Sequence, residues 1–360
     1  MAEIKPFRAL RYDAGRVGPL EGLVAPPYDV IGAEERSDYL ARSPYNVVHL
    51  TLPDSEEEAG AALRSWRGEG VLVEEEPAFW ALSQDYVGPD GVARTRTGLV
   101  TALKLEPYDA GIVLPHERTH HGPKEGRLRL LRATRTELEP IFLLYEGDAL
   151  FEPPEGEPDL EVEGTRLWRL ADDGLAEAFA DKRLLIADGH HRYETALAYR
   201  DEAGTPESAY MMVVLVSFSD PGLTIFPTHR VFREAPQLDA LSGESRSDPE
   251  SALSELQGLG HERAAVVLYD GQTELAVDGQ DELDVQVVDR LGHEGLSYTP
   301  DWREAVKAVD VGEAAVAVLL RPRRIEDVFE VAARGETMPQ KSTYFYPKLL
   351  SGLLFHPLEP

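Results

Sequence analysis

The 360-residue chain contains no cysteine. That excludes disulfides, thiol catalysis and thiolate metal sites. It is poor in lysine, with only Lys5, Lys104, Lys124, Lys182, Lys307, Lys341 and Lys348, and arginine carries the rest of the positive charge. Cations as a class are scarce, 36 against 65 acidic residues, for a formal net charge of -29. A surface of that sign repels nucleic acid and anionic lipid, so any anion site has to be local. No run approaches the roughly 20 apolar residues that span a bilayer. The start, Met1 to Pro6, lacks the apolar core of a signal peptide. These absences lead us to expect a soluble cytoplasmic protein with neither a membrane nor a nucleic acid as partner.

Against that background the segment Leu184 to Leu197 stands out. The apolar stretch Leu184 to Ala187 runs into Asp188-Gly189, and His190-His191-Arg192 opens a helical pattern. A helix start offers unpaired N–H groups and a positive dipole end. Basic residues are unfavourable there unless an anion shares the place, so the pattern predicts a phosphate site. Five of the ten histidines fall in two clusters, His116, His120 and His121, and His190 and His191.

The first of those clusters opens a second segment. His116 to His120 reads H-E-x-x-H, the zinc-protease signature, which works only when both histidines share one helix face. Pro115 before it and Gly122-Pro123 after it argue against such a helix. We expect instead a polar loop delivering His116, Glu117, Thr119 and Lys124, followed by a basic helix with Arg127 and Arg132, the run Lys124, Arg127, Arg129 and Arg132 making a local positive surface. Such a run suits polyphosphate, or equally pairs with surface carboxylates. The segment and the Asp188 box are expected to line one pocket. The closing run Met338 to Lys348 mixes lysines, hydroxyls and three aromatics, which suits either a cover for a ligand or simple packing.

The remaining chain reads as α/β with mixed sheets and helices packed outside. Residues 33–42 and 57–70 are predicted helices. Residues 46–50 and 140–145 are predicted strands, and 78–86 with 95–104 a hairpin about Gly88 to Gly91. Residues 148–164 read as a loop and 211–218 as a buried strand. The Ser-, Asp-, Glu- and Gly-rich stretch 235–262 reads as an exposed region or a boundary. Strands 263–269 and 273–277, a helix at 302–309 and a strand at 313–320 follow. We expect a phosphate-binding part over 1–230 and a second α/β part over 231–360, whose last segment can return to the site.

The motifs Val24 to Val30, His116 to Thr119, Ile186 to Tyr193 and Met338 to Lys348 resemble the hallmarks of the family catalogued as domain of unknown function 1015, over essentially the whole chain. The box Asp188 to Arg192 in turn resembles the phosphate-binding box of the ParB/sulfiredoxin superfamily. Within it the box is most similar to that of the free serine kinases, which phosphorylate serine using a nucleotide. That resemblance implies that Asp188, His190, His191 and Arg192 form a nucleotide-phosphate box. It also implies an upstream carboxylate base, which does not map onto one position here. Sulfiredoxin chemistry needs a cysteine this chain lacks, and no basic recognition module of ParB type is present.

The function these readings lead to is nucleotide-dependent phosphoryl transfer to a small hydroxylated metabolite, with serine one candidate. ATP or ADP and Mg²⁺ are the expected cofactors. Gly189, His190, His191 and Arg192 would hold phosphate, with Lys341 from the closing run. Lys124 and Arg127 would neutralise charge on the transferring group. Asp188 would orient Mg²⁺ or the acceptor, and Asp29 or Glu117 would take the hydroxyl proton. Two other readings stand beside it. One is a metal-dependent hydrolase or phosphatase with His116, His120, His190, His191 and Asp188 as ligands. The other is a nucleotide-binding regulator without turnover.

Overall fold

The fold is taken from a computed structural model, which describes residues 1–117, 121–171, 174–236, 241, 243–261, 263–277, 283–339 and 341–359. The side chains of residues 121–123 lie outside the description as well. The chain divides into two compact units. The first comprises Met1–Pro115, Thr119–Leu223 and Pro347–Pro360, and the second His116–Arg118 and Thr224–Tyr346.

In the first unit the described residues build a nine-stranded mixed sheet. Its main path runs Val113–Leu114, Leu184–Asp188, Ile141–Tyr145, Tyr210–Ser217, Ala93–Lys104, Phe79–Val87, Thr165–Leu170 and Leu160–Val162, and Ile4–Lys5 pairs with Ala93–Lys104 off that path. Ile141–Tyr145 and Tyr210–Ser217 are parallel neighbours at the centre. Both are continuous apolar runs because the sheet is covered on both faces there. One face carries the core of Phe79, Leu99, Leu103, Ile141, Leu143, Ile186, Val213 and Leu215, with Tyr193 of the helix His190–Ala203 packed on it.

The hairpin expected about Gly88 to Gly91 is present as Phe79–Val87 and Ala93–Lys104. The predicted helices appear as Ala33–Arg42 and Glu56–Gly68. Ser55 caps the second by accepting from the Glu58 N–H at 3.3 Å.

Several expectations fail. The expected loop 148–164 ends in the strand Leu160–Val162, and Lys124, expected on a loop, lies in the helix His121–Thr134. Residues 46–50 form no strand, and Val48–Thr51 is a short helix. Asn46 decides this, because its carbonyl oxygen accepts from the Val48 N–H at 3.0 Å and its amide donates to Gly22 O at 2.9 Å. A short apolar run is compatible with either state, and a local side-chain bond tips it. The stretch 235–262 is also more ordered than its composition suggests. It contains the strand Glu244–Arg246 and the helix Pro249–Gly258, whose Ala252, Leu253 and Leu256 are buried. Asp248 accepts from the Ser251 N–H at 2.8 Å and starts that helix.

In the second unit the described residues form a six-stranded antiparallel sheet. Its order is Glu244–Arg246, Thr273–Val277, Ala265–Tyr269, Val316–Leu319, His229–Phe232 and Leu296–Thr299. The helices Pro249–Gly258 and Trp302–Asp310 cover one face through Leu253, Leu256 and Ala305. Asp284–Asp289 packs Val285 and Val288 on the other. Asp284 itself is buried and takes both Nε and Nη2 of Arg321, at 2.9 and 3.0 Å.

Candidate functional site

The strand Leu184–Asp188 and helix His190–Ala203 form the turn that the Asp-Gly pattern predicts. Gly189 is the N-cap, with φ 101 and ψ 27. That left-handed conformation favours glycine. A Cβ there would also stand 2.5 Å from Ile141 Cγ2, so the position excludes any side chain twice over. The first turn carries no acidic residue. The N–H groups of its first residues therefore keep their anion-attracting character.

A register shift between Ile186 and Asp188 controls where the acid points. The bulge sets Asp188 opposite Phe142, whereas Ile186 stands opposite Leu143 in the apolar core. Asp188 is thereby turned onto Phe142's face of the sheet. There it meets two cations. Arg192 Nη2 donates to Asp188 Oδ2 at 2.6 Å, and Lys348 Nζ donates to Asp188 Oδ1. The three side chains are only 12–17 % exposed. Burial alone would raise the pKa of Asp188. Lys348 first, then Arg192 and His190, outweigh it and hold the carboxyl well below the usual range. Burial likewise opposes the charge on Arg192, and Asp188, Glu139 and Asp29 restore it.

Arg192 also lines a cleft with Arg127, Glu137, Glu139, Thr195 and Met211 among others. Arg127, on the helix His121–Thr134, stacks 3.6 Å above the Tyr28 ring and donates to Thr51 O at 2.9 Å. Tyr28 begins the 3-10 turn Tyr28–Val30, which follows the extended Pro27. Its N–H donates to Glu139 Oε1 at 3.0 Å, and Ser351 Oγ donates to the same oxygen at 2.8 Å. Arg192 Nη1 donates to Pro140 O. The expected convergence of the basic segment and the box thus takes one specific form: Arg127 and Arg192 face one cleft.

The other candidates are placed as follows. Asp29 is exposed on the 3-10 turn, close enough for its charge to act on Arg192 and Tyr28. Lys124 pairs with Glu194 of the box helix, and burial draws its pKa down. His190 is buried and His191 half-buried in the first turn. Glu117 and Lys341 belong to the second unit. Glu117 Oε1 accepts from the Ser342 N–H at 3.3 Å. Lys341 is exposed at φ 55, and its carbonyl accepts from Arg230 Nη1 at 3.0 Å. His116, also of the second unit, is 1 % exposed with Nε2 3.0 Å from Thr343 Oγ1. It lies outside any helix, whereas the helix that follows begins at His121. Thr119 and His120 lie outside the described residues.

Among the described residues no group of three or more His, Asp or Glu comes together to hold a metal. Asp188 does not suit Mg²⁺ either, since both of its oxygens already face cations. It bridges Lys348 and Arg192.

Sequence reading passed over Lys348, Glu139, Gln84 and Arg96. Lys348 had a signal, as one of seven lysines and the last residue of an aromatic-rich run. Its partner Asp188 lies 160 positions earlier. Gln84 and Arg96 sit in hairpin strands, where nothing in the pattern marks them.

No helix among the described residues is long and apolar enough to cross a membrane. A family model described as a protein of unknown function (DUF1015) matches residues 4–291. No curated protein matches the chain. Among solved structures, one described as a free serine kinase in complex with AMP is similar at 18 % identity and a TM-score of 0.43, covering 71 % of this chain and 92 % of its own. A conserved hypothetical protein from Pyrococcus furiosus matches at 16 % identity and a TM-score of 0.41, over 71 % of this chain and 95 % of its own. SbnI with a C-terminal truncation, from Staphylococcus aureus, matches at 14 % and 0.43, over 72 % of this chain and 87 % of its own. None of these assigns a role to a residue of this chain.

Proposed function

The chain belongs to the DUF1015 family of proteins of unknown function, and from the side chains of its first unit we propose nucleotide-dependent phosphoryl transfer to a small hydroxylated metabolite. One observation carries the reading. The start of the helix His190–Ala203 has no acidic residue and opens on a glycine that only Gly can be, beside two cations that share one carboxylate. Arg192, paired with Asp188, lines a cleft together with a second cation, Arg127, and two carboxylates, Glu137 and Glu139. Two guanidinium groups beside the positive dipole end of a helix suit a phosphate group.

In this reading ATP is the donor. The acceptor hydroxyl oxygen bonds to the γ-phosphorus, the bond from that phosphorus to the bridging oxygen breaks, and ADP leaves. Asp29, an exposed carboxylate beside Tyr28, takes the hydroxyl proton. Arg192 and Lys348 are pre-positioned by Asp188, so their charges need no reorganisation as the transferring group becomes more negative. Serine is the acceptor to test first, because the box resembles that of the free serine kinases.

Calorimetry with ADP tests the reading. Arg192→Ala should weaken ADP binding by about 10- to 150-fold, the equivalent of ~1.5–3 kcal/mol for a charge-assisted contact. Arg192→Lys should recover only part, because a point charge cannot span Asp188, Pro140 O and a ligand at once. Unchanged ADP affinity in Arg192→Ala, with a wild-type melting curve, would make the box structural and end the proposal.

A further inference from the structure

Arg96 lies in the strand Ala93–Lys104, at 0 % exposure. Its Nη2 donates to Gln84 Oε1 at 2.5 Å, a neutral acceptor. Its Nε and Nη1 have no hydrogen-bond partner among the described residues. The guanidinium lies 4.5 Å from the centre of the Phe142 ring, on the sheet face to which the bulge turns Asp188. Among the described residues no carboxylate reaches ion-pair distance of it. The acids that act on it from further away are already engaged. Asp220 accepts from the Thr97 N–H at 3.1 Å and the Gly222 N–H at 2.9 Å, and Asp188 holds Lys348 and Arg192. Burial draws the Arg96 pKa down to about 10, still far above neutrality, so the group remains a cation.

A buried cation without a counter-charge is costly, and a ligand can supply the missing charge. The surroundings fit that. Gln84 Nε2 donates to Lys348 O at 3.2 Å, which links Arg96 through one side chain to the residue that holds Asp188. Gln84, though not Arg96 itself, also lines a small cavity with Thr165, Val100, Val214 and Leu353. Thr165 stands opposite Gln84 in the sheet, and its Oγ1 is a second buried polar atom without a partner.

We propose that Arg96 is the buried end of a second anion site in the first unit. It takes a small oxyanion group, a carboxylate or a phosphate, on its unpaired Nε and Nη1, apart from the phosphate site at the box helix. The site does not depend on the nucleotide reading and would stand if that reading failed.

Melting curves with sodium phosphate, with sodium acetate and with sodium chloride at matched ionic strength test it on the full chain. Wild type and Arg192→Ala should gain stability from phosphate or acetate beyond the chloride control, and the arm that gives the shift identifies the oxyanion. In the Arg192→Ala background Arg96→Met should lose that shift, and on its own it should leave the ADP affinity by calorimetry at the wild-type value. Should Arg96→Met fail to fold, Arg96→Lys keeps the charge but not the donor geometry, and its half-saturating anion concentration should rise at least tenfold. An anion shift retained when Arg96→Met is combined with Arg192→Ala, an unchanged half-saturation when Arg96→Lys is combined with it, or no shift in Arg192→Ala alone overturns the site. Loss of ADP binding together with the anion shift in Arg96→Met would merge the two sites and overturn the claim that they are separate.

Discussion

The two units bury arginine in opposite ways. In the second, Arg321 spends every donor: Asp284 takes Nε and Nη2, Leu259 O and Gly260 O take Nη1 at 3.0 and 2.8 Å, and Arg263 O takes Nη2 at 2.7 Å. Arg323 beside it leaves Nε and Nη2 without hydrogen bonds, yet its Nη2 is 3.6 Å from Asp284, so its charge has a counterpart. In the first unit Arg96 has one neutral partner and no acid at hand. A guanidinium that is satisfied inside its own chain ties loops to a strand and is complete. One that is not satisfied leaves a demand that a ligand can meet. The contrast separates a structural cation from a candidate binding cation without reference to fold or family.

The sharpest way to break this comparison is to remove each arginine. Arg321→Ala leaves Asp284 buried without its main partner and strands three carbonyls. It should cost about 3–5 kcal/mol by urea unfolding, whereas Arg96→Met should not approach that. Equal losses would mean that satisfaction of donors does not mark the difference.

Gly189→Ala probes the turn in the first unit. The left-handed φ and the contact with Ile141 predict a loss of ~1–3 kcal/mol or more, together with loss of ADP binding. A well-folded alanine variant that binds ADP normally would remove the geometric basis of the phosphate site.

Acid sensitivity separates the units more finely. His229 is buried, accepts the Leu320 N–H at 3.1 Å through Nδ1, and has its pKa drawn down to about 3 by burial and by Arg230. The unfolded chain takes up this proton first, near pH 6.5. Stability from His229 is therefore present above about pH 6.5 and falls, by at most ~1.4 kcal/mol per pH unit, as pH drops toward 3. Asp188 in the first unit is also depressed, but from a carboxylate's starting value, so its contribution is lost only below about pH 4. Urea midpoints between pH 7 and pH 4.5 should slope in wild type and flatten in His229→Asn. An equal slope in both would assign the effect elsewhere.

Much of the molecule was legible in the chain because its signals are local. The hairpin follows from alternation about Gly88 to Gly91, and the helix Glu56–Gly68 from its amphipathic pattern. The box turn follows from Asp188-Gly189 before a helical pattern. Misreadings arose where a side chain far from the pattern intervened. Asn46 turned an apolar run into a short helix, and Asp248 with three apolar residues gave order to a stretch that composition marks as exposed.

The sequence by itself determined the absence of thiol chemistry, the strongly acidic surface and the glycine-opened basic helix start, because each depends only on composition or on neighbours along the chain. Tertiary structure alone decided that Asp188 would be claimed by Lys348 and Arg192, that Arg127 would share a cleft with Arg192, and that Arg96 would be buried without an acid. Those outcomes rest on a strand bulge and on contacts between residues up to 160 positions apart. A bulge reverses which face a side chain takes, and no local periodicity records it.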